Sequence, residues 1–256
     1  MSNEADSLGH PLQDEGSGFS PATIDLERYQ SGTLMAALRA ARTHGWCVAT
    51  GSIRALADRL AARSDALGIH APVEIVLARQ KDPLVQVLTP LEPNQAALRS
   101  LSAKFGTGPI PFHADGSHLD EPPHFVLLEA ENPREDHAPT HLLRFTPRPG
   151  TELARDMRHG VFRVDSGTSA FYTTCRSDDS QPLRFDLGCM APIDPRSRRL
   201  TQQILNTEPD YMHEWSSAGR VLIIDNRQVL HARADAQTST SRCLLRLMLT
   251  ENESPW

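Results

Sequence analysis

The sequence predicts a mainly β domain in which antiparallel strands form a sandwich or barrel, with helices on its flank and one helical insert. Three observations predict it. From residue 105 onward short apolar runs recur at 125–128, 141–145, 161–164, 170–174, 221–224 and 244–249, separated by clusters of Pro, Gly and Asp. That pattern favours antiparallel strands over βαβ units. Before residue 105 the apolar residues repeat instead at helical spacing. Finally, 256 residues bury one good core, which points to a single domain over 23–256.

Taken in order, residues 1–22 combine Gly, Ser, Pro, Asp and Glu with few apolar anchors and read as a flexible leader. Residues 34–43 carry a helical repeat that Gly45 ends, and Trp46, Cys47, Val48, Ala49 and Thr50 read as a strand. Residues 53–67 form a second amphipathic helix, with Leu56, Leu60 and Leu67 on one stripe and a stop at Gly68. A third short helix fits 93–101. The strand pattern breaks at 195–218, where Leu200, Ile204 and Leu205 suit one helix of an insert and Tyr211, Met212 and Trp215 suit another.

Composition narrows the function classes. The formal net charge is −6, and only Lys81 and Lys104 of the 26 basic residues are lysine. An acidic chain without basic blocks is poorly suited to phosphate backbones, so a small-molecule substrate is expected and nucleic acid is not. Cys47, Cys175, Cys189 and Cys243 lie far apart without Cys-x-x-Cys spacing. They read as free thiols of a reducing, cytoplasmic setting. No secretory pattern opens the sequence, and the apolar runs are strand-sized, too short to span a membrane. A Ser nucleophile elbow, a Walker loop and a dinucleotide-binding glycine pattern are all absent. Oligomeric state is not legible.

The residues with chemistry are few. In Pro111-Phe112-His113-Ala114-Asp115, the imidazole and carboxylate stand at i and i+2 and so leave one face of an extended strand. His-x-Asp alone is common; its force comes from His231, which follows the strand-like run 221–224. Two histidines and one carboxylate are the facial triad that leaves open positions on non-haem Fe(II), which points to an iron-dependent oxygenase. Arg242 and Arg246 stand 11 and 15 residues beyond His231, on one face of a strand whose other face holds Cys243, Leu245 and Leu247. An arginine inside a sandwich needs an anion, either a protein carboxylate or a dicarboxylic ligand that its fork grips at both oxygens. Asp225 and Asn226 read as shaping the turn after the 221–224 strand. His118 sits in a loop where it could meet substrate. Tyr211 and Trp215 read as packing groups.

These motifs, with Asp225-Asn226-Arg227-Gln228-Val229-Leu230-His231-Ala232-Arg233, resemble the clavaminate synthase-like and taurine dioxygenase-like branch of the Fe(II)/2-oxoglutarate-dependent oxygenases. The likeness runs from about residue 105 to 250. It implies a double-stranded β-helix (jelly roll, cupin-like) core and iron held by His113, Asp115 and His231. Arg242 would bind the far carboxylate of 2-oxoglutarate. Thr140, 27 residues after His113, would help hold that cosubstrate, although the glycine pair that commonly precedes this threonine is replaced by His137-Ala138-Pro139. Arg246 resembles an arginine that in some members reaches an anionic substrate, and Arg184, in Arg184-Phe185-Asp186, matches a strand near the pocket. The reaction implied consumes O2 and 2-oxoglutarate, releases succinate and carbon dioxide, and hydroxylates or desaturates a substrate. A carboxylate at Asp115, where related halogenases have a small residue, argues against halogenation.

Overall fold

The computed structural model describes residues 25–26, 31–67, 72–96, 100–178 and 181–252; the leader expected at 1–22, and Gly68, lie outside them. In chain order the elements are α1 (Ser31–His44), β1 (Trp46–Thr50), α2 (Ile53–Leu67), β2 (Val73–Ile75), β3 (Gln86–Leu88) and α3 (Leu101–Phe105). Then come β4 (Ile110–His113), β5 (Phe125–Ala130), β6 (Thr140–Arg144), α4 (Glu152–His159), β7 (Val161–Asp165) and β8 (Ala170–Thr174). The last are β9 (Met190–Pro192), α5 (Pro195–Leu205), β10 (Tyr211–His213), β11 (Arg220–Asp225), β12 (Val229–Arg233) and β13 (Leu244–Glu251).

Two antiparallel sheets face each other. The larger runs β1-β11-β5-β13-β2, with β3 also on β13, and the smaller runs β10-β6-β12-β4. A third sheet, β8-β7-β9, lies apart. Period-two alternation sorts each strand between two cores. Along β5, Phe125 and Leu127 join Leu34, Leu38, Ile53 and Leu56 in a core beneath α1 and α2, whereas Val126 and Leu128 turn into the space between the sheets. Along β12, Val229 faces that central space, while Leu230 and Ala232 join Phe162, Phe185, Leu200 and Ile204 on the outer side with α4, α5 and the third sheet. Both principal sheets are thus covered on both faces, which is why β5 and β11 carry apolar runs rather than clean alternations.

The chain is mixed α/β rather than mainly β. Five helices accompany thirteen strands among the described residues, and neither main sheet closes on itself. Two helix expectations also shift. The segment expected over 93–101 forms turns at 93–95, and its helix starts only at Leu101, where the Ser100 hydroxyl caps the Ala103 N–H at 3.1 Å. It stops at Gly106, whose φ of 56° suits glycine. Tyr211, Met212 and Trp215 do not form a second insert helix: Tyr211–His213 is strand β10, paired to β6, with Tyr211, His213 and Trp215 at strand spacing. Three aromatic-rich residues fit either period, and the exposed edge of β6 decides between them. The first insert helix stands as α5, started by Pro195 and an Asp194–Ser197 capping box. His231 lies inside β12, beyond the turn after β11, and not directly behind the 221–224 strand.

Among the described residues no helix is long and apolar enough to cross a membrane. All four cysteines are free. Phe185 is fully buried edge-to-face on Phe162, with ring centroids 6.1 Å apart. Phe185→Ala should therefore cost about 3–5 kcal/mol in denaturant unfolding, with an unchanged far-ultraviolet spectrum in the folded baseline.

Candidate metal centre

The site lies between the two main sheets, where alternation places it. On β4 Phe112 turns outward and His113 inward, and just past the strand's end Ala114 packs with Phe112 while Asp115 opens the turn that follows; on β12 Leu230 and Ala232 turn outward, so His231 and Arg233 turn inward. β4 pairs with β12 so that His113 stands opposite His231, and a bulge between His231 and Arg233 shifts the register just beyond them. The two rings end with centroids 4.2 Å apart. Among the described residues, His113, Asp115 and His231 are the one cluster able to hold a metal, with one donor atom from each all within 4.8 Å of one another.

All three side chains are buried, and their donor atoms suit a cation. The His113 Nδ1–H donates to the Pro111 carbonyl at 2.9 Å, which leaves its Nε2 lone pair for the site. Burial pushes the His231 imidazole down to about 3, aided by His113, so it is neutral near pH 7. Burial also pushes the Asp115 carboxyl up, but the Arg246 guanidinium in contact with it, and the two imidazoles, overcome this and hold it at about 2. Two donors and one anion are therefore ready. Asp115 Oδ2 and His231 Nδ1 are buried without a hydrogen-bond partner. Such orphans cost about 1–3 kcal/mol each. A divalent cation beside Asp115 Oδ2, which lies 3.6 Å from His231 Nε2, would relieve the carboxylate, so the residues fit a facial-triad metal.

Sequence reasoning gave Asn226 a turn; the structure gives it the backbone of Asp115. Its Oδ1 accepts the Asp115 N–H at 2.9 Å, and its Nδ2 donates to the Asp115 and Pro123 carbonyls at 3.0 and 2.9 Å. The signal available was its place in the turn that carries the chain from β11 to β12.

Arg242 and Thr140 meet beside the triad. Arg242 stands two residues before β13, in the turn that leads into it, and is buried. Its Nε donates to the Ala138 carbonyl at 2.8 Å and its Nη2 to Thr140 Oγ1 at 3.2 Å. Trp215 Nε1 donates to the same oxygen at 3.1 Å, so the hydroxyl accepts twice and keeps its own proton to donate. Burial, then the nearby Arg233 charge, lowers the Arg242 guanidinium to about 9, still cationic at neutral pH.

The other candidates are differently engaged. Arg246 Nη1 donates to Asp115 Oδ1 at 2.6 Å, and its Nε to Gln86 at 2.9 Å. Arg184 turns its fork to the carbonyls of Ser117, Leu119 and Asp120, fastening the loop after Asp115. His118 Nε2 lies 3.1 Å from the Ala78 carbonyl, so it ties that loop to the segment before β3.

No protein-family model matches the chain, and no curated protein matches it. Solved structures do. An asparagine oxygenase, solved with Fe(II), 2S,3S-3-hydroxyasparagine and succinate, aligns at a TM-score of 0.60 and 17% identity over 86% of this chain and 79% of that one. PvcB, described as an Fe, α-ketoglutarate-dependent oxygenase from an isonitrile synthetic pathway, aligns at 0.57 and 19% over 91% and 86%. The non-haem iron oxygenase OrfP, with Fe, succinate and (3S)-hydroxy-L-Arg, aligns at 0.57 and 16% over 88% and 81%. At these identities the likeness shows a shared fold, the two-sheet core of such oxygenases.

Two outcomes follow from the geometry. Asn226→Ala leaves three backbone groups around Asp115 unpartnered; Mn(II) affinity measured by calorimetry should fall by about 10–100-fold, with a stability loss of about 2 kcal/mol. The second concerns acid. His231 and His213 both resist protonation in the folded state, His213 down to about 4 through burial and then Arg220, whereas an unfolded histidine takes its proton near 6.5. The unfolded chain therefore binds more protons in this window, and stability, complete above 6.5, is lost as pH falls toward 4. The Tm of the metal-free protein should drop by about 5 °C or more across that window, and His213→Phe should flatten the slope.

Proposed function

We propose that the protein is an Fe(II)- and 2-oxoglutarate-dependent dioxygenase with a double-stranded β-helix core. It would hydroxylate a C–H bond of a small polar metabolite, of amino-acid or natural-product type, with succinate and carbon dioxide as coproducts. The observation that carries this reading is a buried cation beside a facial triad. Arg242 has no carboxylate within ion-pair distance among the described residues, and a buried charge left so is strongly unfavourable. A diacid that reaches the metal with one end and Arg242 with the other satisfies both.

The chain's own groups have distinct tasks. His113, Asp115 and His231 would hold the iron through three donors, leaving positions open for other ligands. The Arg242 fork would hold the far carboxylate, and the Thr140 hydroxyl, with its proton free, would donate to the same group. Trp215, fully buried, fixes Thr140 and contributes to an apolar wall with Leu142, Val126 and Met248 that limits water. When bound, iron and the cosubstrate supply O2 activation and the oxidising power to insert one oxygen atom into a C–H bond. The neighbours that carry hydroxylated asparagine or arginine support an amino-acid-like substrate. A desaturation would use the same ligands. A sulfonate or other anionic substrate gripped by Arg246 would first have to displace Asp115 or Gln86 from that guanidinium.

A metabolite-library screen coupled to succinate release tests the reading. The expected result is substrate-dependent succinate with a product heavier by one oxygen atom; a product lighter by two hydrogens marks desaturation. A metal-binding module of the same fold would bind iron and give no substrate-dependent succinate. Arg242→Met should weaken 2-oxoglutarate binding by at least about 30-fold while leaving Mn(II) affinity within about threefold.

A further inference from the structure

We infer that Gln86 is a positioning residue for the metal: it holds Arg246 so that one Asp115 oxygen is occupied and the other alone faces the iron site. The inference rests on the metal reading above and adds a residue to it.

The chain of contacts is continuous. β3 is only three residues long, and it pairs with β13 so that Gln86 stands directly opposite Arg246. Opposed residues in an antiparallel pair share a face, with Cβ atoms about 4.5–5.5 Å apart. On β13 that face also carries Leu244 and Met248, which pack between the sheets, while Leu245, Leu247 and Leu249 face α1 and α2. Gln86 and Arg246 therefore both point toward the triad. The Gln86 amide is oriented at both ends: its Nε2 donates to Asp82 Oδ2, and its Oε1 accepts from both Nε and Nη2 of Arg246. A flipped amide would set an N–H against the guanidinium, so the carboxylate of Asp82 fixes the acceptor toward Arg246.

With two of its three nitrogens held by Gln86, the guanidinium plane has little freedom left. Its third nitrogen, Nη1, donates to Asp115 Oδ1 at 2.6 Å. Asp115 Oδ2 is the oxygen without a hydrogen bond, and it lies 3.6 Å from His231 Nε2. Asn226 fixes the backbone of the same residue. The carboxylate is thus held at both ends and offers a single oxygen. One-oxygen ligation is what keeps three positions open; a carboxylate free to rotate onto both oxygens would close one of them. A partner that orients a metal ligand typically contributes about 10–100-fold in metal affinity.

The test uses the whole protein, metal-free, titrated with Co(II) by calorimetry and by visible absorption, whose intensity reports the number of ligands. Gln86→Leu should bind Co(II) about 10–100-fold more weakly than wild type, with altered band intensity, while the metal-free melting temperature changes little. Gln86→Glu combined with Asp82→Asn keeps an acceptor at the same reach and replaces the carboxylate it would face by an amide donor, so this double variant should stay within about threefold of wild type with the same bands. Gln86→Asn withdraws the amide by one methylene and should behave like Gln86→Leu, which keeps the comparison intact should the leucine variant fail to fold. Wild-type affinity and absorption in Gln86→Asn, or equal impairment in Gln86→Asn and in the Gln86→Glu, Asp82→Asn double variant, would overturn the role of Gln86 while leaving the triad standing. A wild-type protein that does not bind Co(II) at all would overturn the metal reading itself, and this inference with it.

Discussion

The pairing of β4 with β12 is the constraint on which the rest of the structure depends. It sets His113 opposite His231 and turns both, with Asp115, into the space between two sheets that are each covered on their outer face. A slip of one residue in either strand would exchange these groups for Phe112, Ala114, Leu230 and Ala232. The register is held by that outer core, because those four residues pack under α4, α5 and the third sheet. Hydrophobic burial on one face of the sheet thereby positions polar chemistry on the other.

Placing charge in such a space is costly, and the structure offsets the cost unevenly. Asp115 is balanced by Arg246; on the outer side Asp156 of α4, nearly fully buried, accepts two bonds from Arg199 of α5. Arg233 turns one nitrogen to the carbonyls of Gly106 and Gly108 and leaves its Nε buried without a partner. Arg242 has carbonyl and hydroxyl acceptors but no anion among the described residues. On the outer side the buried charge of Asp156 has its counter-ion, whereas Arg242 has none among the described residues. A site that is short of one divalent cation and one dianion is coherent with a protein that gains both when it works.

Much of this was legible in the sequence because the informative residues obey local rules. His113 and Asp115 sit two apart and do meet at one site, although the strand expected to hold both of them ends at His113, and Asp115 is placed from the turn beyond it by Asn226 and Arg246. Strands β1, β5, β7, β8, β11 and β13 have enough apolar length to declare themselves, and α2 begins and ends where its repeat does. The failures have a physical pattern too. β10 is three residues long, too short to separate a period of two from one of 3.6, and pairing with β6 decided it. Counting strands alone understated the helices, since α4 has a strongly polar face and gave no apolar run. Gln86 was invisible because β3 takes its identity from the strand opposite, and Asn226 because a turn residue and a backbone clamp look alike without the partner segment 115–123.

The central claim, that two imidazoles and one carboxylate hold ferrous iron beside a guanidinium that receives a diacid, is tested most directly by anaerobic titration with Fe(II) and 2-oxoglutarate under visible absorption. The account predicts a weak charge-transfer band that saturates at one equivalent of each, is absent without either component, and is lost in Asp115→Ala. Iron and 2-oxoglutarate that bind without this band, or a band that survives in Asp115→Ala, would contradict it.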